Sequence, residues 1–275
     1  MISTNHIQSY TIGAIDGPAG QVCDVYFDDE AWVVRYLVVK TPDRQSVRQV
    51  LIPSISLGAP DPVANVFPVL LTRQQVMDSP DVDTDKPVSR QHQHGGQGFY
   101  EYPAYWKNSL SGPQQRYPGP ITPEVTVLAS DRISDERQTL DACADASNYA
   151  ARRAHDDPHL RSALAVTQYH VHALDGDIGH VKGVLIDEKT WAIRYLIVNT
   201  SAWWTGHQAL IAPEWIDDIE WVEAMITVDV TRDAIQSAPA YDPTTTPDRE
   251  FETNTYKHFG RDEYWVGCTQ AGDVR

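Results

Sequence analysis

The stretch Trp32-Val-Val-Arg-Tyr-Leu-Val-Val-Lys-Thr41 decides the fold, because a near copy, Trp191-Ala-Ile-Arg-Tyr-Leu-Ile-Val-Asn-Thr200, follows 159 positions later. Other matched segments keep the same offset: 10–20 with 169–179, 49–52 with 208–211, and 72–73 with 231–232. Chance does not hold one offset over so long a stretch, and such self-similarity indicates a duplicated structural unit. We therefore predict two copies of one module, over about residues 8–106 and 167–265.

Each copy has the sequence pattern of a small β domain. Short runs rich in β-branched and aromatic residues, such as 22–27 and 32–39, are separated by turn sequences, and residues 28–31 have the length of a hairpin loop. No helical pattern intervenes, which favours a small barrel or sandwich over βαβ units. Thr72-Arg-Gln-Gln75 has the spacing of a capping box and predicts a short helix after the last strand.

The strand over 32–41 is apolar on both faces. Because successive side chains alternate, one face carries Val34 and Tyr36 while the other carries Val33 and Leu37. The interior of a barrel covers only one of these faces, so a tail, the connector or the other copy must cover the second. We therefore expect the two copies to pack against each other.

The copies divide the chain into three expected parts. Residues 1–107 form the first repeat with an aromatic tail, residues 108–166 a connector, and residues 167–275 the second repeat with its own aromatic tail. The connector begins with a loop rich in Pro and Gly. It continues with an Ala-rich stretch over 134–155 that has acids early and arginines late, a distribution that favours a helix.

The charge of the chain limits its partners. Its 275 residues carry 22 Lys and Arg against 38 Asp and Glu, a formal net charge of −16. This charge repels phosphate, so we expect no nucleic-acid partner, and it suits a basic protein partner. No secretory signal or membrane span is visible, and the three scattered cysteines suggest no disulfide framework. We expect a cytoplasmic protein, and the sequence leaves homo-oligomer formation open.

The repeated pattern resembles the PRC-barrel family, which is named after the cytoplasmic domain of the photosynthetic reaction centre H subunit. The resemblance rests on Asp16-Gly-x-x-Gly20, a hairpin, Trp32-x-x-Arg-Tyr-Leu-Val-Val-x-Thr41 and Val50-Leu-Ile-Pro53. The stretches 79–92 and 157–162 resemble tandem bacterial members of the family. The resemblance implies a mainly β fold: two small antiparallel barrels in tandem, each of about six strands, with short helices and an irregular or helical connector.

The resemblance implies two kinds of function. The H subunit supports quinone-linked electron and proton transfer in photosynthesis, whereas a similar barrel in the ribosome maturation factor docks a ribosomal protein. This sequence has neither a visible membrane helix nor a recognisable RNA-processing domain. Our first hypothesis is a non-enzymatic docking or scaffold module. The second is an accessory to photosynthetic or respiratory electron transport, which would associate with a membrane complex without inserting into the membrane.

Two groups of residues are candidates for the docking surface. Trp203 and Trp204 lie in a predicted loop, where they either anchor a partner, or cap the mouth of the barrel or pack on the first copy. Asp217, Asp218 and Glu220 form an acidic run that is either a docking patch or a solvated strand edge.

Arg35 and Arg194 stand at equivalent positions among apolar neighbours, which favours structural ion pairs over anion binding. If Phe27 faces Trp32 across the hairpin, Asp24 faces Arg35. The second copy has no acid at the position equivalent to Asp24, so Arg194 needs another partner.

The sequence provides no specific sign of catalysis. It contains none of the common nucleophile, phosphate-binding or zinc-protease motifs. His170 and His172 share a face of a predicted strand, but the first copy lacks both, and a structural role is favoured over metal binding. We therefore expect no enzyme activity, no cofactor and no metal.

Overall fold

The computed structural model describes residues 1–42, 47–79, 82, 159–200 and 207–265. The expected connector helix over 134–155 and the aromatic tail of the first copy lie outside these residues. The elements of the first copy are β1 (Ile2–Ser3), α1 (Thr4–Ile7), β2 (Thr11–Ala14), β3 (Gly17–Asp28), β4 (Val33–Pro42), β5 (Val47–Pro53), β6 (Val66–Pro68) and α2 (Arg73–Met77). Those of the second copy are β7 (Leu160–Ser162), α3 (Ala163–Val166), β8 (His170–Ala173), β9 (Gly176–Ile186), β10 (Ile193–Asn199), β11 (Gln208–Ile211), β12 (Ile216–Glu220), β13 (Met225–Val228), α4 (Arg232–Gln236) and α5 (Arg249–His258).

The strands form two sheets of matching order, which confirms the mainly β architecture. The first sheet runs β5-β4-β3-β2-β6 and the second β11-β10-β9-β8-β13-β12, with β2/β6 and β8/β13 as parallel pairs. In the described residues neither sheet closes into a barrel. The end strands do not pair with each other, neither β5 with β6 in the first sheet nor β11 with β12 in the second. The chain between β11 and β12 makes a 3-10 turn, Pro213–Trp215, whose first residue has no N–H to donate to a ladder.

The first strand of each copy pairs with the sheet of the other copy. β1 is antiparallel to β9, where Ile2 faces Ile186, and β7 is antiparallel to β3, where Arg161 faces Phe27. The segments β1–α1 and β7–α3 are called the first and second arm below. The second arm lies in the range expected for the connector, so the second repeat extends back to residue 160.

An approximate twofold axis relates the two copies. Val33 and Ala192, which are equivalent under the 159-residue offset, form an antiparallel bridge. The Val34 N–H donates to the Trp191 carbonyl at 2.8 Å, and the Ile193 N–H donates to the Trp32 carbonyl at 2.7 Å. These two hydrogen bonds are also equivalent under the offset, so the copies meet as partners of one kind around this bridge.

A single hydrophobic core holds both copies. One cluster of buried side chains spans both sheets, and both copies belong to one compact unit. Trp191 of the second copy packs on Phe67 of the first, with ring centroids 5.7 Å apart. The expectation that the copies pack together is thus confirmed.

The helix caps follow the sequence. Thr72 and Gln75 form the expected capping box at α2: the Gln75 N–H donates to the Thr72 hydroxyl at 3.2 Å, and the Thr72 N–H donates to the side-chain Oε1 of Gln75 at 2.9 Å. At α4 Thr231 accepts from the Ala234 N–H, but Ala234 has no side chain that can return the bond.

Candidate functional site

A cleft of about 370 Å³ opens where the two copies meet. It is built from three segments that are distant in the sequence: the β3–β4 turn of the first copy, the second arm, and the chain along β12. The lining residues are Asp29, Trp32, His159, Arg161, Pro213, Ile216, Asp217, Asp218, Ile219 and Trp221.

Asp29 is the least exposed of the three acids that line the cleft, and its side chain is only 8% exposed. Arg161 Nε donates to its Oδ2 at 2.7 Å, and His159 Nδ1 lies 3.0 Å from its Oδ1. The pairing of β7 with the end of β3 brings these groups together, because the Asp29 N–H donates to the His159 carbonyl at 2.9 Å. A charged hydrogen bond to a well-buried carboxylate fixes both partners.

Trp221 completes the hold on Arg161. The Arg161 guanidinium carbon lies 4.3 Å from the centroid of the Trp221 ring, and the Tyr169 hydroxyl donates to the Trp221 carbonyl at 3.4 Å. Arg161 is thereby held between a carboxylate and an aromatic ring. Its charge is balanced within the protein, so it forms a wall of the cleft rather than an anion-binding group.

The part of the cleft that is formed by β12 is acidic. Asp217 and Asp218 are exposed on β12 and line the cleft, whereas Glu220 lies further along the same strand. Repulsion from Glu223 is the main cause that raises the pKa of Glu220, and Asp218 adds to it. A carboxylate whose pKa is raised by its neighbours reports an excess of negative charge along this strand.

Of the residues expected to form the docking surface, two line the cleft and one is adjacent to it. Asp217 and Asp218 are in its wall, and Glu220 continues the acidic strand. Trp203 and Trp204 lie outside the described residues. The sequence interpretation missed Arg161, Asp29 and Trp221 as one group, because no local pattern brings them together.

The equivalent residues of the other copy reproduce the chemistry of the cleft only in part. Asp29 and Trp32 have like counterparts at the 159-residue offset, Glu188 and Trp191, whereas other lining residues have small or apolar ones: Ile2 for Arg161, Gly58 for Asp217, Ala59 for Asp218 and Pro62 for Trp221. The acidic wall and its stacked arginine therefore have no counterpart at this offset.

The structure pairs Arg35 with Asp28 and not with Asp24. Arg35 Nη2 donates to Asp28 Oδ2 at 2.9 Å. The expected pairing fails because the hairpin loop spans residues 29–32 rather than 28–31, so that Phe27 faces Val34 rather than Trp32. A further register shift between Tyr26 and Phe27 places Asp24 opposite Val38, and the changed register decides which acid reaches the arginine.

Asp24 instead holds the second arm. Its carboxylate accepts from the Ser162 hydroxyl at 2.6 Å and from the Leu164 N–H at 3.0 Å. Burial raises the pKa of Asp24, although these hydrogen bonds oppose the rise. The residue is therefore a link between the copies.

Arg194 finds the other partner that the sequence required. Its Nη2 lies 3.4 Å from Asp187 Oδ2, and its guanidinium carbon is 4.3 Å from the centroid of the Tyr264 ring. This supports the structural role expected for the arginine, with the acid at the hairpin rather than within the strand.

The histidine pair contacts a single acid. His172 Nδ1 lies 2.8 Å from Asp177 Oδ1 at the exposed β8–β9 hairpin, and His170 faces His180 across the ladder. No group of three metal-ligating side chains is found in the described ranges. In the same ranges, no helix combines the length and the apolar character needed to cross a membrane.

Comparison with known proteins assigns no family to the chain: no protein-family model and no curated protein matches this sequence.

Proposed function

We propose that this chain is a non-enzymatic, cytoplasmic docking protein whose cleft between the two copies binds a basic segment of a partner protein. In this proposal the two sheets are open relatives of the PRC barrel, arranged in tandem. The repeated motifs and the shared strand order of the two sheets support this assignment, although each sheet contains one parallel pair where the resemblance implies antiparallel strands alone.

The exposed acids that line the cleft are the observation that carries the proposal. Asp217 and Asp218 are exposed and, among the described residues, form no ion pair, whereas Asp29, the third lining acid, is already paired with Arg161. The cleft thus presents negative charge that the fold itself does not use. Charge complementarity of this kind selects and steers a basic partner.

The walls of the cleft support binding rather than chemistry. Asp29 holds Arg161 and His159, which could otherwise polarise a substrate or move a proton, and the remaining lining carboxylates, Asp217 and Asp218, are exposed to solvent. A surface already fixed by internal hydrogen bonds loses little side-chain entropy when it binds. We therefore assign the cleft a recognition role.

A labelled deca-arginine peptide tests this function by fluorescence anisotropy at low ionic strength. The double variant Asp217→Lys/Asp218→Lys changes the charge by four units, and at about 0.3–0.5 kcal/mol per exposed charge we expect roughly tenfold weaker binding. The matched control, Glu250→Lys/Asp262→Lys, makes the same change in net charge at exposed positions outside the cleft. Equal weakening by both variants would show that only the overall charge matters and would refute the cleft as the site.

Capture of the partner from fractionated cells separates the two hypotheses drawn from the sequence. Recovery of a soluble basic protein, lost in the cleft variant and kept in the control, supports docking. Recovery of a membrane electron-transport complex would favour the accessory role instead.

A further inference from the structure

We propose that the segment bound in the cleft is extended, carries Arg or Lys side chains, and adds to the second sheet as a strand beside β12. This inference rests on the proposed function and specifies how the partner is bound. Three features support it: the position of β12 in its sheet, the side chains along it, and the difference between the two copies.

β12 is the last strand of the second sheet. It pairs with β13 on one side, where Asp218 faces Thr227 and Glu220 faces Met225, and no strand within the described residues pairs with its other side. The outer side of an edge strand presents backbone N–H and C=O groups that an extended peptide can pair with. The residues of this same strand form one wall of the cleft.

The side chains of β12 restrict which peptide can pair there. Ile216 and Ile219 are half-buried, whereas Asp217 and Asp218 are exposed. Acids along an edge disfavour pairing with a neutral or acidic strand, because the carboxylates would lose hydration without gaining an opposite charge. A strand with Arg or Lys opposite these acids gains favourable cross-strand pairs instead.

The aromatic wall of the cleft favours the same occupant. Trp32, held against Phe27 with ring centroids 5.4 Å apart, lines the same cleft as the residues of β12. Tryptophan is the aromatic side chain that attracts cations most strongly. A basic side chain that enters the cleft therefore finds both carboxylates and an indole ring in its lining.

The first copy does not offer the same edge. The segment equivalent to β12, residues 57–61, forms only isolated bridges, and Pro60 stands where the second copy has Ile219. A proline has no N–H to donate to an added strand. We therefore expect one peptide for each chain.

N-methylated peptides test strand addition. The probe is a labelled ten-residue peptide of alternating Arg and Val, compared with two derivatives that carry N-methyl groups on all Val amides or on all Arg amides. Alternate amides of a strand point to opposite edges, so one derivative blocks the pairing edge and the other leaves it free. We expect one derivative to bind roughly tenfold more weakly or worse, since several backbone hydrogen bonds are lost, and the other to bind like the parent peptide.

Hydrogen exchange provides the second measurement. The bound parent peptide should slow exchange at amides of β12, and the blocked derivative should not. Strand addition is wrong if the two derivatives behave alike, that is, if both lose affinity or neither does. The docking function still stands in that case, provided that Asp218→Lys weakens the binding of the parent peptide. If the parent peptide binds Asp218→Lys as well as it binds the unchanged protein, the docking function itself fails.

Discussion

Replacing Arg161 by Met tests whether the ion pair between Arg161 and Asp29, which line the cleft, holds the second arm in place. The Arg161–Asp29 pair is short, at 2.7 Å, and its side chains are 24% and 8% exposed. An exposed pair contributes about 0–1 kcal/mol, whereas breaking a fully buried one costs about 3–5 kcal/mol. We expect an intermediate coupling of about 2 kcal/mol. In the single variant Arg161→Met, the lost stacking on Trp221 lowers the free energy of unfolding by about another 0.5–1 kcal/mol.

A double-mutant cycle isolates this coupling from the other effects of each substitution. The free energy of unfolding is measured in urea for the unchanged protein, Arg161→Met, Asp29→Asn and the double variant, by tryptophan fluorescence and far-UV circular dichroism. Arg73→Met is the control, since Arg73 is exposed, and it should change the free energy of unfolding by less than about 0.5 kcal/mol. A coupling below about 0.5 kcal/mol would refute the role of this pair in holding the arm.

Two further predictions address how the copies are joined. Cutting the chain at a protease site introduced near residue 112 should leave the two halves associated in size-exclusion chromatography, because the arms and the core cross between copies; separation into stable halves would contradict the shared core. Asp24→Asn should remove a pH dependence of stability. Because the pKa of Asp24 is raised in the fold, the native state binds more protons than the unfolded state between about pH 4 and that raised pKa. The free energy of unfolding of the unchanged protein therefore falls as the pH rises through this range. Urea titrations of both proteins across this range measure the difference, and parallel curves would show that Asp24 does not titrate in this way.

The repeat and the local caps could be predicted from the sequence because neighbouring residues determine them. The 159-residue offset is visible without any structure, and the Thr72–Gln75 box depends on four consecutive residues. The exchange of arms could not be predicted. β1 and β7 have only two and three residues, too few to show a strand period, and their partners lie far away in the sequence.

The residues of the candidate site could likewise be predicted only in part. The exposed acids Asp217 and Asp218 could be chosen from charge alone, and the structure places both in the cleft. The group formed by Asp29, Arg161 and Trp221 comes from three separate segments that meet only after the arm has paired with β3. The partner of Arg35 was missed because the hairpin loop lies one residue later than expected and the ladder then shifts register once more, and no propensity rule predicts either.

The two arm sites differ although the copies that carry them are nearly symmetric. Gly183 stands where the first copy has Asp24, and a Cβ atom added there would lie 2.9 Å from Thr4 Oγ1, so the second sheet makes room for the first arm. The first sheet instead uses the Asp24 carboxylate to bind the Ser162 hydroxyl of the second arm. Because each sheet fits the arm of the other copy by different chemistry, the arms are not interchangeable. The second arm brings Arg161 into the cleft that the acids of β12 also line, whereas the first arm carries Ile2 at the equivalent position.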